Sequence, residues 1–298
     1  MNLRSSKRVW AYAMGVCLLV SVLAACSVTA TLTPATSAPT VAPSPKPPTA
    51  APTTPPTLLP PTSTPAAIPP TAAPPMATVS FGPANFSYDL SIASAVTTTH
   101  IAGQNPGSDT PYWGIFPDYD EYNLVGYLSK NTYHKPRIEI YPVAEYEQIN
   151  PGAKDVIEAL KQLLADKPRS PDRVPLLPLF NAAQVFHAQL QYLSFQTGKG
   201  VRFVTQYDQA PLPINNLEIF YTFQGLTDDG KYYITALLPV SIGLLPDSDQ
   251  VTPALQQQLA DFETYLKDVT QKIDNAKPQD FMPNLSMLDS MVQSLSVK

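Results

Sequence analysis

Residues 28–75 hold 16 of the chain's 34 prolines, with one charge, Lys46, and neither a glycine nor an aromatic side chain. Proline fixes φ near about −65° and removes an amide donor, so neither a helix nor a strand ladder can be sustained through such a run. The expected form is a disordered, polyproline-II-like stalk. At about 3.1 Å per residue it reaches at most roughly 150 Å. The run divides the chain into a leader at 1–25, a stalk at 26–76 and a distal segment at 77–298. That last segment is long enough for one domain with a sizeable core.

In the leader, Arg4, Lys7 and Arg8 precede an almost wholly apolar stretch at 9–25. This is the basic n-region and apolar h-region of an export signal. Its 17 apolar-stretch residues fall short of the ~20 that a helix needs to cross a ~30 Å hydrocarbon core. The stretch ends at Leu23-Ala24-Ala25-Cys26, which resembles the lipobox of bacterial lipoproteins at all four positions. The resemblance implies that the Cys26 thiol takes a diacylglyceryl group, that the leader is cut just before it, and that membrane lipid is a partner. Two or more acyl chains hold stably, so the modification anchors the chain to the extracytoplasmic face of the cell membrane. The plainer alternative makes Cys26 a small residue in a leader cut by the common signal peptidase. Without an Arg-Arg pair in the leader, export as an unfolded chain is expected, and no cofactor with it.

The leader carries three of the 19 basic residues and none of the 24 acidic ones, which leaves a net charge of about −8 after its removal. That sign repels phosphate backbones and anionic headgroups, so nucleic acid is not an expected partner. Cys17 is lost with the leader and lipid occupies Cys26. Disulfides, thiolate metal sites and cysteine nucleophiles are thereby excluded.

Within 77–298 the apolar spacing predicts an α+β fold, an antiparallel sheet of about six or seven strands with helices packed on it. Phe86, Tyr88, Leu90 and Ile92 alternate as in a strand, and further strands are expected at 122–128 and 137–143. Asn150-Pro151 reads as a helix cap with proline at the first turn, followed by Val156, Ile157, Leu160, Leu163 and Leu164 at helical spacing. Phe186, Ala188, Leu190 and Tyr192 alternate in a strand at 184–195, and Gly198-Lys199-Gly200 reads as the turn into its partner. A second hairpin turns through Asp228-Asp229-Gly230. Thr252-Pro253 opens a helix carrying Leu255, Leu259, Phe262, Leu266, Val269 and Ile273, and Leu285, Leu288, Val292 and Leu295 mark another. This order of elements is similar to that of Mog1/PsbP-like domains. The block at 179–240 resembles segments of uncharacterised bacterial lipoproteins. Neither likeness implies a chemistry.

Motifs for phosphate loops, dinucleotides and nucleophile elbows are missing from the sequence. His100, His134 and His187 lie far apart without metal-ligand spacing, and no metal is expected. Asp118-Tyr119-Asp120-Glu121-Tyr122 reads either as acid/base or sugar-stacking chemistry or, more plainly, as a polar loop entering a strand with Tyr122 in the core. Asp247-Ser248-Asp249 lacks the glycine and closing glutamate of a calcium loop. Strand periodicity predicts a polar sheet face, with His187, Gln189 and Gln191 beside Arg202 and Gln206, then Glu218, Thr222 and Gln224. Such a face suits ligand binding by many hydrogen bonds, with His187 and Glu218 as an acid/base pair, or it is a solvated surface. No residue is assigned a catalytic role. The favoured reading is a non-enzymatic domain that binds a protein or cell-envelope component. A glycan hydrolase and a solute-binding lipoprotein are the alternatives.

Overall fold

The computed structural model describes residues 75–104, 110–129 and 133–298. The leader, the lipobox with Cys26 and the stalk as far as residue 74 lie outside the described residues. The described chain belongs to one unit, Ile68–Lys298, and has the α+β architecture expected.

A hairpin opens it, β1 (Met76–Phe81) and β2 (Ala84–Asp89), so the domain begins one residue earlier than the stalk boundary placed it. Next come β3 (Ala95–Ile101), β4 (Tyr119–Val125) and β5 (Arg137–Pro142), then helices α1 (Val143–Ile149) and α2 (Pro151–Asp166). Four long strands follow: β6 (Ala183–Phe195), β7 (Gly198–Asp208), β8 (Phe220–Thr227) and β9 (Tyr232–Pro239). The chain closes with β10 (Ser241–Ile242), α3 (Pro253–Leu259), α4 (Phe262–Asp274), β11 (Phe281–Met282), α5 (Leu285–Gln293) and β12 (Ser296–Val297).

Seven strands make one antiparallel sheet in the order β3-β4-β5-β9-β8-β7-β6. Both of its faces are covered. On one side Ile138, Ile140, Val204, Tyr221, Phe223, Ile234 and Leu238 pack with Phe86 and Tyr88 of β2 and with Leu285, Leu288 and Val292 of α5. On the other, Val201, Phe203, Phe220, Tyr233 and Leu237 meet Tyr146 of α1, Ile157, Leu160 and Leu164 of α2, and Leu176 and Leu177 from the crossing segment, residues 167–182 between α2 and β6. Each large apolar side chain buried this way contributes about 1.5–3 kcal/mol.

The strand carrying Phe86 and Tyr88 stops at Asp89, whose carboxylate accepts from the Ser91 amide and hydroxyl at 2.7 Å and turns the chain. Leu90 is therefore exposed, contrary to the expected alternation. This strand joins β1 and β12 in a separate three-stranded sheet. Asn150 caps α2, accepting from the Ala153 amide, and donates to the Tyr112 and Ile115 carbonyls at 2.8 and 2.9 Å. The helix expected over 252–273 is two: Asp261 accepts from the Thr264 amide at 3.2 Å and caps a fresh start, which separates α3 from α4. Gly198 and Gly200 lie in β7 rather than forming a turn. A Cβ on Gly198 would meet Phe195 at 2.4 Å, and one on Gly200 would meet Phe223 at 2.4 Å, so both make room for aromatic rings. Gly230, at φ 71°, closes the β8–β9 hairpin as expected.

Candidate functional site

β6 is an edge strand, and a groove of about 880 Å³ runs along it between the crossing segment and α4. His187, Gln189, Gln191 and Arg202 line it, which brings together four of the eight residues expected to share a polar face. The groove also takes Arg169 and Asp172 from the crossing segment, and Lys267 and Asp274 from α4. These four were not legible as site residues, because only tertiary packing brings their segments to β6.

The floor of the groove is a β-bulge. The pairing of β6 with β7 slips between Ala188 and Gln191, and Gln189 adopts φ 57°, a left-handed conformation costing roughly 1–2 kcal/mol in a non-glycine residue. The bulge reverses the expected alternation. Phe186 and Ala188 face α5 and β2, Leu190 and Tyr192 turn to the side of α2, and Leu193 and Phe195 return to the first side. The amide, the side-chain NH2 and the carbonyl of Gln189 are all engaged. Its amide donates to Asp274 Oδ1 at 2.5 Å, its side chain donates to the carbonyls of Ile273, Asp274 and Ala276 at 2.8–3.1 Å, and its carbonyl accepts from Arg202 Nη1. The bulge thereby ties the carboxyl end of α4 to the sheet edge.

Arg202 is 4% exposed and sits beneath this bulge. Its Nη2 donates to Gln191 Oε1 at 2.8 Å and to Asp289 Oδ2 at 3.5 Å, while its Nε lies 3.2 Å from Asp289 Oδ1 as an ion pair without a hydrogen bond of its own. Burial holds the His187 imidazole below its ordinary range, although Asp274, the Pro171 backbone and Asp172 pull the other way. It is neutral at pH 7. The groove thus presents a neutral imidazole, amides and charges of both signs.

The remaining predicted residues go elsewhere, because the single polar face does not exist. Gln224 is fully buried on the α2 side. Its Oε1 accepts from the Leu177 amide at 2.9 Å and from Tyr233 Oη at 2.6 Å, and its Nε2 donates to Thr222 and Thr235, so it staples the crossing segment to the sheet. Gln206 is buried beside the loop after β7, where it holds Asp208, Pro213 and Asn215. Glu218 precedes β8 in a smaller hollow of about 300 Å³, which His187 does not line, so the expected acid/base pair is not assembled.

The carboxylates of 118–121 are bound to their neighbours. His100 lies 2.8 Å from Asp120 and 3.6 Å from Asp118, Asp118 accepts from the Gly103 amide, and Glu121 accepts from Asn123 Nδ2. Tyr122 is fully buried, with its hydroxyl on the Phe81 carbonyl, in line with the plainer reading. Asp247 accepts from Asn216 Nδ2 at 2.8 Å. Burial lowers the His134 imidazole to about 4, and its ring packs 4.3 Å from that of Phe220. Among the described residues no three His, Cys, Asp or Glu side chains group as a metal site, and no helix is long and apolar enough to cross a membrane. The chain matches no family model and has no significant match among curated proteins or solved structures.

Proposed function

We propose that this chain is an exported lipoprotein, anchored by lipid on Cys26, whose α+β domain is a non-enzymatic binding module for a protein or cell-envelope component. The observation that carries the binding role is the groove of about 880 Å³ along β6. Its edge strand offers main-chain donors and acceptors, the feature by which extended segments add to a sheet. Around it stand donors and acceptors of both signs, suited to a polar partner rather than to an apolar solute. The lipobox and the proline-rich run support the anchored half of the reading.

A photocrosslinking side chain placed at Lys267, on the groove wall, is expected to capture a partner on intact cells. The same group at Lys231, in the β8–β9 turn, serves as the control. Equal capture from both positions, or none from Lys267, removes the groove from consideration. Cys26→Ser is expected to free the protein from the membrane or leave it unprocessed. Unchanged membrane partition and mobility refute the anchor.

A further inference from the structure

The hollow beside Glu218 shares no lining residue with the β6 groove. It forms where β7 ends and β8 begins, and where the chain approaches β5. Phe180, Tyr207 and Leu212 give it apolar walls, and Asp208 and Glu218 give it two carboxyl groups. Glu218 is 6% exposed, and its Oε2 is buried without a hydrogen-bond partner. An unfilled acceptor of this kind costs about 1–3 kcal/mol, so it marks a place where a donor is missing. Among the described lining residues there is no lysine or arginine, and the two carboxyl groups disfavour an anion. Two carboxyl groups supply too few oxygens for calcium, which takes six to eight.

We propose that this hollow binds a primary alkylammonium group, whose N–H donates to Glu218 Oε2 and whose alkyl stem lies against Phe180 and Leu212. Asp208, already accepting from Gln206 Nε2 at 2.7 Å, adds the second negative charge. The volume of about 300 Å³ is at the small end for ligand sites and fits a stem of a few carbons. Phe180 and Tyr207 stand with ring centroids 5.0 Å apart at 73° and form one aromatic wall of the hollow. The ammonium comes either from a free amine or from a lysine side chain of a partner, and both present the same chemistry.

Burial, with Asp208 and Asp249 adding to it and Asn215 opposing, pushes the Glu218 carboxyl up to about 7. The groups around it are Asp208 on β7, Asp249 ahead of α3, and His134 and Tyr207 at the rim, with His134 neutral. An alkylammonium remains charged at pH 6 and pH 8 alike. Binding that needs the carboxylate therefore strengthens about tenfold between those values, as the ionised fraction rises.

Calorimetric titration of the full chain in detergent, with 1,5-diaminopentane and separately with a blocked Gly-Lys-Gly peptide, tests this. Saturable binding of either at pH 8, weakened about tenfold at pH 6 and lost in Glu218→Gln, is the expected result. Preference between the two probes tells a free amine from a partner's lysine. Leu212→Trp, which fills the hollow and keeps Glu218, is expected to abolish binding as well, and covers the case in which Glu218→Gln disturbs the fold. The proposal is overturned if neither amine binds up to about 10 mM, a range that reaches millimolar affinity. It is equally overturned if tetramethylammonium or 1-butanol binds as well as the amines. Crosslinking at Lys267 is unaffected by any of these outcomes.

Discussion

Arg202 of β7 and Asp289 of α5 form an ion pair at 3.2 Å across the interior, with side chains 5% and 14% exposed. Asp289 also accepts from Tyr221 Oη at 3.0 Å, so one carboxylate joins the helix to two central strands. Removing one partner of a buried pair leaves the other charge uncompensated, which costs about 3–5 kcal/mol. Asp289→Ala is therefore expected to lower the urea midpoint sharply. Arg202→Met combined with Asp289→Leu is expected to cost less than Asp289→Ala alone, and a double-mutant cycle by urea denaturation measures the difference.

The Gln189 bulge is held by its side-chain amide, which bonds the three carbonyls at the end of α4. Gln189→Ala keeps the left-handed backbone and loses those bonds, so a cost of about 2–3 kcal/mol is expected. Hydrogen exchange is expected to rise in α4 and at β6 while α2 stays protected. Uniform loss of protection across the sheet would show that the bulge is not a local clamp.

Glu218 provides a pH test of sign as well as size. Its folded value of about 7 lies above the ordinary 4.5, so the folded chain holds the proton more tightly than the unfolded one. Stability is then highest below about pH 4.5 and falls as pH rises through about 7, by roughly 2–3 kcal/mol for this group. Glu218→Gln is expected to leave stability near pH 4.5 almost unchanged and to raise it by about 2 kcal/mol at pH 8. Urea titrations at the two pH values decide this, and a variant less stable at pH 8 contradicts it.

Gly200→Ala places a methyl 2.4 Å from both the Phe223 ring and the Gln224 carbonyl oxygen. Overpacking of this kind costs about 1–3 kcal/mol. Adding Phe223→Leu, which removes the ring edge, is expected to return part of the loss. If thermal unfolding of the double variant falls further than the sum of the two singles, the ring is not what the glycine accommodates.

The elements with strong local signals were readable before any coordinates. Asn150-Pro151 announced α2, and Asp228-Asp229-Gly230 announced the β8–β9 hairpin. The predicted ligand face divides because the β7–β8 register sets Gln224 opposite Val201 and Arg202 opposite Phe223, on different sides of the sheet, and because one residue of bulge at Gln189 moves each later side chain of β6 to the other face. No residue type there advertises a left-handed conformation. Gly198 and Gly200 carried the opposite fault: they look like a turn, yet they serve ring packing. Two further signals stand in the sequence. Asp289 lies at the fourth position after Leu285, on the inward stripe of α5, where a carboxylate needs a buried partner. The threonines of β3 have the β-branched character of an edge strand. The groove itself was out of reach, since its walls come from segments far apart in sequence.

The first strand has a mechanical consequence. Among the described residues β1 pairs only with β2, and Met76 stands opposite Asp89, at the open end of the hairpin. A pull on residue 75 against a partner held at the β6 edge would open the ladder one residue pair at a time, like a zip, rather than shear it. Opening pairs one at a time takes less force than shearing a whole ladder at once, so the hairpin yields before the ladders of the seven-stranded sheet. β2 stays fastened by β12 and by the Lys298 amide on the Pro83 carbonyl. The amino-terminal hairpin would thus act as a shock absorber, releasing six residues of slack at the force of unzipping, which limits the tension passed on while it opens.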